Sequence, residues 1–138
     1  MTKKAGIALW SIQIVYCLIL FYFAVLGREP ANKSIIMLDF LGGYIHPQYN
    51  SVSNGLLNIC SFIPVGVLVG LIVEKYKIGK AMLIGLLISA VIEISQLIWE
   101  RGIFDVDDFF NDVVGAFIGG LLVVCVTSIC KKAKMKRI

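Results

Sequence analysis

Four apolar segments, residues 5–26, 55–73, 81–99 and 113–130, divide this chain at its charges, and each is long enough to cross a bilayer as a helix. About 20 residues at about 1.5 Å rise per residue cover the roughly 30 Å hydrocarbon core. With 59% hydrophobic residues, only 16% charged ones and a mean hydropathy of +0.89, the chain is far more apolar than a soluble domain of its length. The expected fold is an all-α integral membrane protein, a single domain over residues 1–138 with four transmembrane helices.

Lysine and arginine set the expected orientation. Lys3, Lys4, Lys75, Lys77, Lys80, Lys131, Lys132, Lys134, Lys136 and Arg137 flank the spans on one side, against Arg28, Lys33 and Arg101 on the other. By the positive-inside bias both termini are cytoplasmic, and the connections 27–54 and 100–112 face outward from the plasma membrane. These cations act as topology anchors, and no nucleic-acid partner is expected. Lys3 and Lys4 before an apolar run also raise a signal peptide, but that run exceeds an h-region and residues 23–27 offer no small-x-small cleavage pattern, so a retained helix is expected. Cys17, Cys60, Cys125 and Cys130 have no CxxC spacing, which argues against a disulfide or zinc framework.

The connection 27–54 carries Ile35, Ile36, Met37, Leu38, Phe40, Leu41, Tyr44 and Ile45, a run too short to span. With Ser34 as cap it reads as an interfacial helix or a re-entrant piece over the bundle. His46, before Pro47, reads as a turn residue, and one histidine makes no metal site.

Polar residues inside the spans recur at helical spacing. Asn54, Asn58 and Ser61 share a face of the second span. Ser89, Glu93, Gln96 and Glu100 share one on the third, and Asp108, Asp112, Gly115 and Gly119 one on the fourth, with Asn111 adjacent. All three stripes lie in the outer half, so one shared polar pocket is permitted. Glu93, about 10 Å below the outer end of its helix, is the one acid inside an otherwise apolar span. A carboxylate at mid-bilayer costs roughly 2.5–3.5 kcal/mol, so it needs a partner, with Arg101 the first candidate and Arg28 the alternative. Hydrogen bonding between spans would also account for Asn58, Glu93 and Gln96.

The acidic run from Asp105 through Asp107, Asp108 and Asp112 departs from an EF-hand pattern, yet Asp105 and Asp108 could hold a divalent cation with oxygen ligands. Asp107 or Asp108 can instead cap the fourth helix, where acids also suit the dipole. Gly66/Gly70 and Gly115/Gly119 are GxxxG patterns that bring helices together, within one chain or between copies as a homo-oligomer. Pro64 is expected to kink the second span.

The blocks Asn58-Ile-Cys-Ser-Phe-Ile-Pro64-Val-Gly66, Glu93-x-x-Gln96, Asp105-x-x-Asp108 and Gly115-Ala-Phe-Ile-Gly119, within residues 54–120, resemble the VanZ-like family of teicoplanin-resistance membrane proteins. Where that family has asparagine opening an N-x-x-G, this chain has Asp112, with Asn111 one place early. The resemblance implies an inner-membrane protein of mostly Gram-positive bacteria, associated with lowered susceptibility to teicoplanin and related lipid-bearing glycopeptides. It carries over no catalytic residue.

The leading expectation is a protein that binds or modifies an outer-leaflet amphiphile: a lipid-linked envelope precursor, a phospholipid or a lipoglycopeptide. An apolar cleft would take acyl chains, and Asn58, Glu93, Gln96, Arg101, Asp105, Asp108 and Asp112 the head group. Were it an enzyme, Glu93 would be the general acid or base, although no serine nucleophile with a base, histidine pair or phosphate loop is present. The alternative is a structural or adaptor protein for cell-wall synthesis partners. A channel would need a polar lining through residues 65–73, which are apolar.

Overall fold

The computed structural model describes residues 2–30, 35–45 and 51–135. Its elements are α1 (Lys3–Phe21), β1 (Ile35–Met37), α2 (Gly42–Ile45), α3 (Ser51–Ile72), α4 (Lys77–Ile98), β2 (Ile103–Asp105) and α5 (Val106–Met135). A π-helical segment, Tyr22–Leu26, prolongs α1. Four helices, Lys3–Leu26, Val52–Ile72, Lys77–Ile98 and Val106–Met135, are long and apolar enough to cross a membrane. In hydrocarbon only a helix satisfies every backbone polar group within its own segment, which is why apolar runs of this length take that form.

The expected four spans are therefore present. Three details differ from the sequence expectation. The run 35–45 is not one helix: Ile35–Met37 is a strand and Gly42–Ile45 a single helical turn. β1 pairs in parallel with β2, Ile35 opposite Ile103 and Met37 opposite Asp105, so both long connections at this end share a small sheet. Ser34 and His46 lie outside the described residues. The last span begins at Val106 rather than at 113, because the acids expected in a loop form its first two turns. Its cap is Asp105, not Asp107 or Asp108: Asp105 Oδ1 accepts the Asp107 N–H at 2.9 Å.

α4 ends in a reversed turn. Glu100 adopts φ 52°, the Arg101 N–H reaches the Gln96 carbonyl at 3.0 Å, and the Glu100 N–H reaches that of Leu97 at 3.4 Å. These bonds close a Schellman motif with glutamate where glycine is usual.

α3 and α5 form the closest pair, α4 packs on both, and α1 lies on α3 with its π segment on α4. Small residues permit the α3–α5 contact. A Cβ on Gly66 would strike the Ala116 backbone, and one on Gly119 would strike the Ile63 carbonyl. Both GxxxG faces thus lie inside one chain, and they are not a surface between copies. Val25, Phe62, Val65 and Ile92 make the buried apolar core. α3 continues through Pro64, and the Tyr16 hydroxyl of α1 donates to the Ser61 carbonyl of α3 at 2.8 Å. All four cysteines are free.

Candidate functional site

Polar side chains meet at the end of the bundle formed by the π segment, the two strands and the first turns of α5. Along α4 the 3.6-residue period puts Ser89, Glu93 and Gln96 on the face toward α5, where they are 0%, 2% and 1% exposed. From α5, Asp107, Asn111 and Asp112 are also buried. Glu93 Oε2 accepts the Asp105 N–H at 3.1 Å, which holds the start of α5 over the end of α4. Its carboxylate also feels the charges of Asp108, Asp112 and Arg28. Gln96 Nε2 donates to the Ala24 carbonyl at 3.0 Å, in the π segment, where the wider winding turns carbonyls outward.

The two arginines divide the roles expected of one. Arg101 does not reach Glu93. Its Nη1 donates to the carbonyls of Leu26 at 2.7 Å and Arg28 at 3.1 Å, clamping the end of α1. Arg28 is instead the cation acting on both Glu93 and Asp108. A Cβ on Gly102 would sit 3.2 Å from Arg28 Nη1 and 2.8 Å from Gln96 Oε1, so the bare backbone there leaves room for both groups. Asn58 of α3 faces the Asp108 carboxylate as a hydrogen-bond donor. Ser89 lies beside Asp112. The Ser89 hydroxyl serves the Asp112 carboxylate as a hydrogen-bond donor, whereas Gln96 Oε1 is buried with no partner. Among the described residues no set of three acid, histidine or cysteine side chains converges to hold a metal ion, Asp105 and Asp108 included.

Burial pushes the Asp105 carboxyl above the usual range, outweighing the Asp107 N–H that draws it down. Between the ordinary value, about 3.9, and the raised one, the folded state keeps a proton that the unfolded chain has released. Stability conferred through this group therefore falls as pH rises across that window. Asp105→Asn keeps the cap and loses the titration, so in detergent melts from about pH 4 upward the variant should gain on the wild type. Parallel stability curves would refute the assignment.

A second set of contacts fastens residues 38–45 onto α5. Leu41, at φ 62°, donates its N–H to Asp107 Oδ1 at 2.7 Å, the Tyr44 hydroxyl donates to Asn111 Oδ1 at 2.9 Å, and Phe40 meets Phe110 edge-on at 5.5 Å. The Tyr44 hydroxyl occupies the place of a Gly55 side chain. Gly55→Ala is expected to expel Tyr44 and raise amide exchange in residues 38–45 without altering that of α4. Unchanged exchange would show that the clasp does not depend on Gly55.

Asn58, Glu93, Gln96, Asp105, Asp108 and Asp112 are thus gathered at one end, and Arg101 stands beside them as a clamp. Two residues of the stripes fall away: Asn54 and Glu100 are exposed. Sequence reasoning did not anticipate the partners of Asp107 and Asn111, nor Gln13, which is 3% exposed in α1 with Nε2 on Cys17 Sγ at 3.3 Å. Gln13 carried a signal of its own, an amide within an apolar span.

Fold and site define a four-span membrane protein with a buried, acid-rich polar core at one end. A family model for VanZ/LLP1 matches residues 10–128, and the chain belongs to this family. No curated protein and no solved structure matches the chain.

Proposed function

We propose that this protein binds or modifies an amphiphile of the cell envelope, with the polar end of the bundle facing out of the plasma membrane and receiving the head group. The observation that carries this reading is the buried, unpartnered Gln96 Oε1, within a cluster that also holds Glu93 and Asp112. Polar residues that only join helices pair their atoms with one another, as Ser89 and Asp112 do, whereas an unpaired acceptor in a dry core calls for a ligand or water that donates. Arg28 adds a cation beside this cluster.

The resemblance of the motif blocks to teicoplanin-resistance membrane proteins supports a lipoglycopeptide, or the envelope lipid it acts upon, as the amphiphile. The test is teicoplanin and vancomycin susceptibility of a susceptible Gram-positive host expressing wild type or Glu93→Gln at matched membrane abundance. Protection against teicoplanin by the wild type, lost in Glu93→Gln, is the expected result. Equal protection by both would reduce Glu93 to a packing residue, and none by either would remove the resistance link.

A further inference from the structure

We infer that the seam between α1 and α4 is a binding groove for one acyl chain of a bilayer lipid, entered sideways from the membrane. This inference deepens the reading of the polar end as a head-group site, and rests on it for what the chain is attached to.

Cys17, Leu18 and Phe21 of α1 and Ile84, Leu87, Ile88, Val91 and Ile92 of α4 enclose a cleft of about 340 Å³. Both walls lie within membrane-spanning helices. The rim continues the lipid-facing surface, since Leu18, Leu87 and Val91 are 64%, 58% and 58% exposed. At this depth the medium that reaches the cleft is hydrocarbon, and an apolar recess open to it is filled by a chain.

The seam then changes character within one turn. Ile88, Ile92 and Gln96 succeed one another at i, i+4 and i+8 on α4, while Phe21 at the end of α1 is followed by Ala24 in the π segment and Arg28 just past it. Phe21 meets Trp99 edge-on at 5.8 Å, and Gln96 bonds Ala24 just beyond, so the cleft is bounded where the polar site begins. A chain lying against Ile88 and Ile92 ends at the Phe21–Trp99 pair and brings the head of its lipid to the exposed Arg28. Apolar walls with a cation at their end match an acyl chain with an anionic head.

The test uses the full chain in phosphatidylcholine/phosphatidylglycerol vesicles containing a trace of phosphatidylglycerol with a mid-chain diazirine. After irradiation, insertion is mapped by peptide mass spectrometry. Labelling of residues 84–92 should exceed that of the lipid-facing Leu122 and Val126 by about tenfold, a preference worth about 1.4 kcal/mol. Leu87→Trp, which fills the groove from its exposed rim, should abolish the excess. Leu122→Trp, on the outer face of α5, should leave it unchanged. Labelling spread evenly over exposed apolar residues, or an excess that survives Leu87→Trp, overturns the inference. No antibiotic enters this experiment. Even labelling with intact teicoplanin protection removes the groove alone, and groove labelling without protection removes the resistance reading alone.

Discussion

Gly119→Val is expected to leave almost no folded protein in the membrane. The Cβ of any residue at this position would land on the Ile63 carbonyl, and Gly66 stands in the same relation to the Ala116 backbone. A backbone cannot swing aside as a side-chain tip can, so α3 and α5 must separate along their whole contact. Overpacking a core ordinarily costs about 1–3 kcal/mol, and displacing a facing helix exceeds that range. Against a total stability of about 5–15 kcal/mol the loss is decisive. Size-exclusion profiles of tagged, detergent-extracted protein should show the wild-type peak replaced by aggregate. Gly79→Val should keep the peak, because nothing lies within 4 Å of a Cβ there. A normal peak for Gly119→Val would mean that the helices do not touch at this point.

The second large effect is expected from Glu93→Leu, set beside Glu93→Gln. Leucine removes the acceptor of the Asp105 N–H, and a buried amide without a partner costs about 1–3 kcal/mol. Glutamine still offers an oxygen at nearly the same place. The leucine variant should therefore melt earlier in detergent and exchange the Asp105 amide faster, while the glutamine variant stays close to the wild type in both. If leucine and glutamine behave alike, the bond to Asp105 contributes nothing measurable. The pair also separates structure from chemistry: a glutamine variant that is folded but inactive locates the role of Glu93 in its carboxyl group.

The spans and most of the polar stripes were legible in the sequence because both follow from periodicity. Glu93, Gln96 and Ser89 are buried on one face for the reason the spacing implied, and Gly66 and Gly119 pack as small residues in spans do. What the spacing did not carry was contact between distant segments. The clamp by Arg101 joins residues 73 and 75 apart, and the Tyr44–Asn111 bond joins residues 67 apart. No local pattern encodes which arginine acts on the buried acids. The early start of α5 was obscured by the reading of charge as loop, although an aspartate followed by two acids in the next turns is also how a helix begins. The strand pair escaped notice because three residues on each side are too few for an alternation to register.

Asp105 stands at a junction. Its backbone pairs with β1, its N–H holds Glu93, and its carboxylate caps α5. The surface strand, the helix start and the buried acid are therefore links of one mechanical chain with a single shared pin. A pull that the strand pair transmits from residues 35–37 loads this pin, while the contacts of Phe40, Leu41 and Tyr44 carry load from residues 38–45 to α5 separately. Whatever docks on residues 35–37 reaches the buried acid through Asp105.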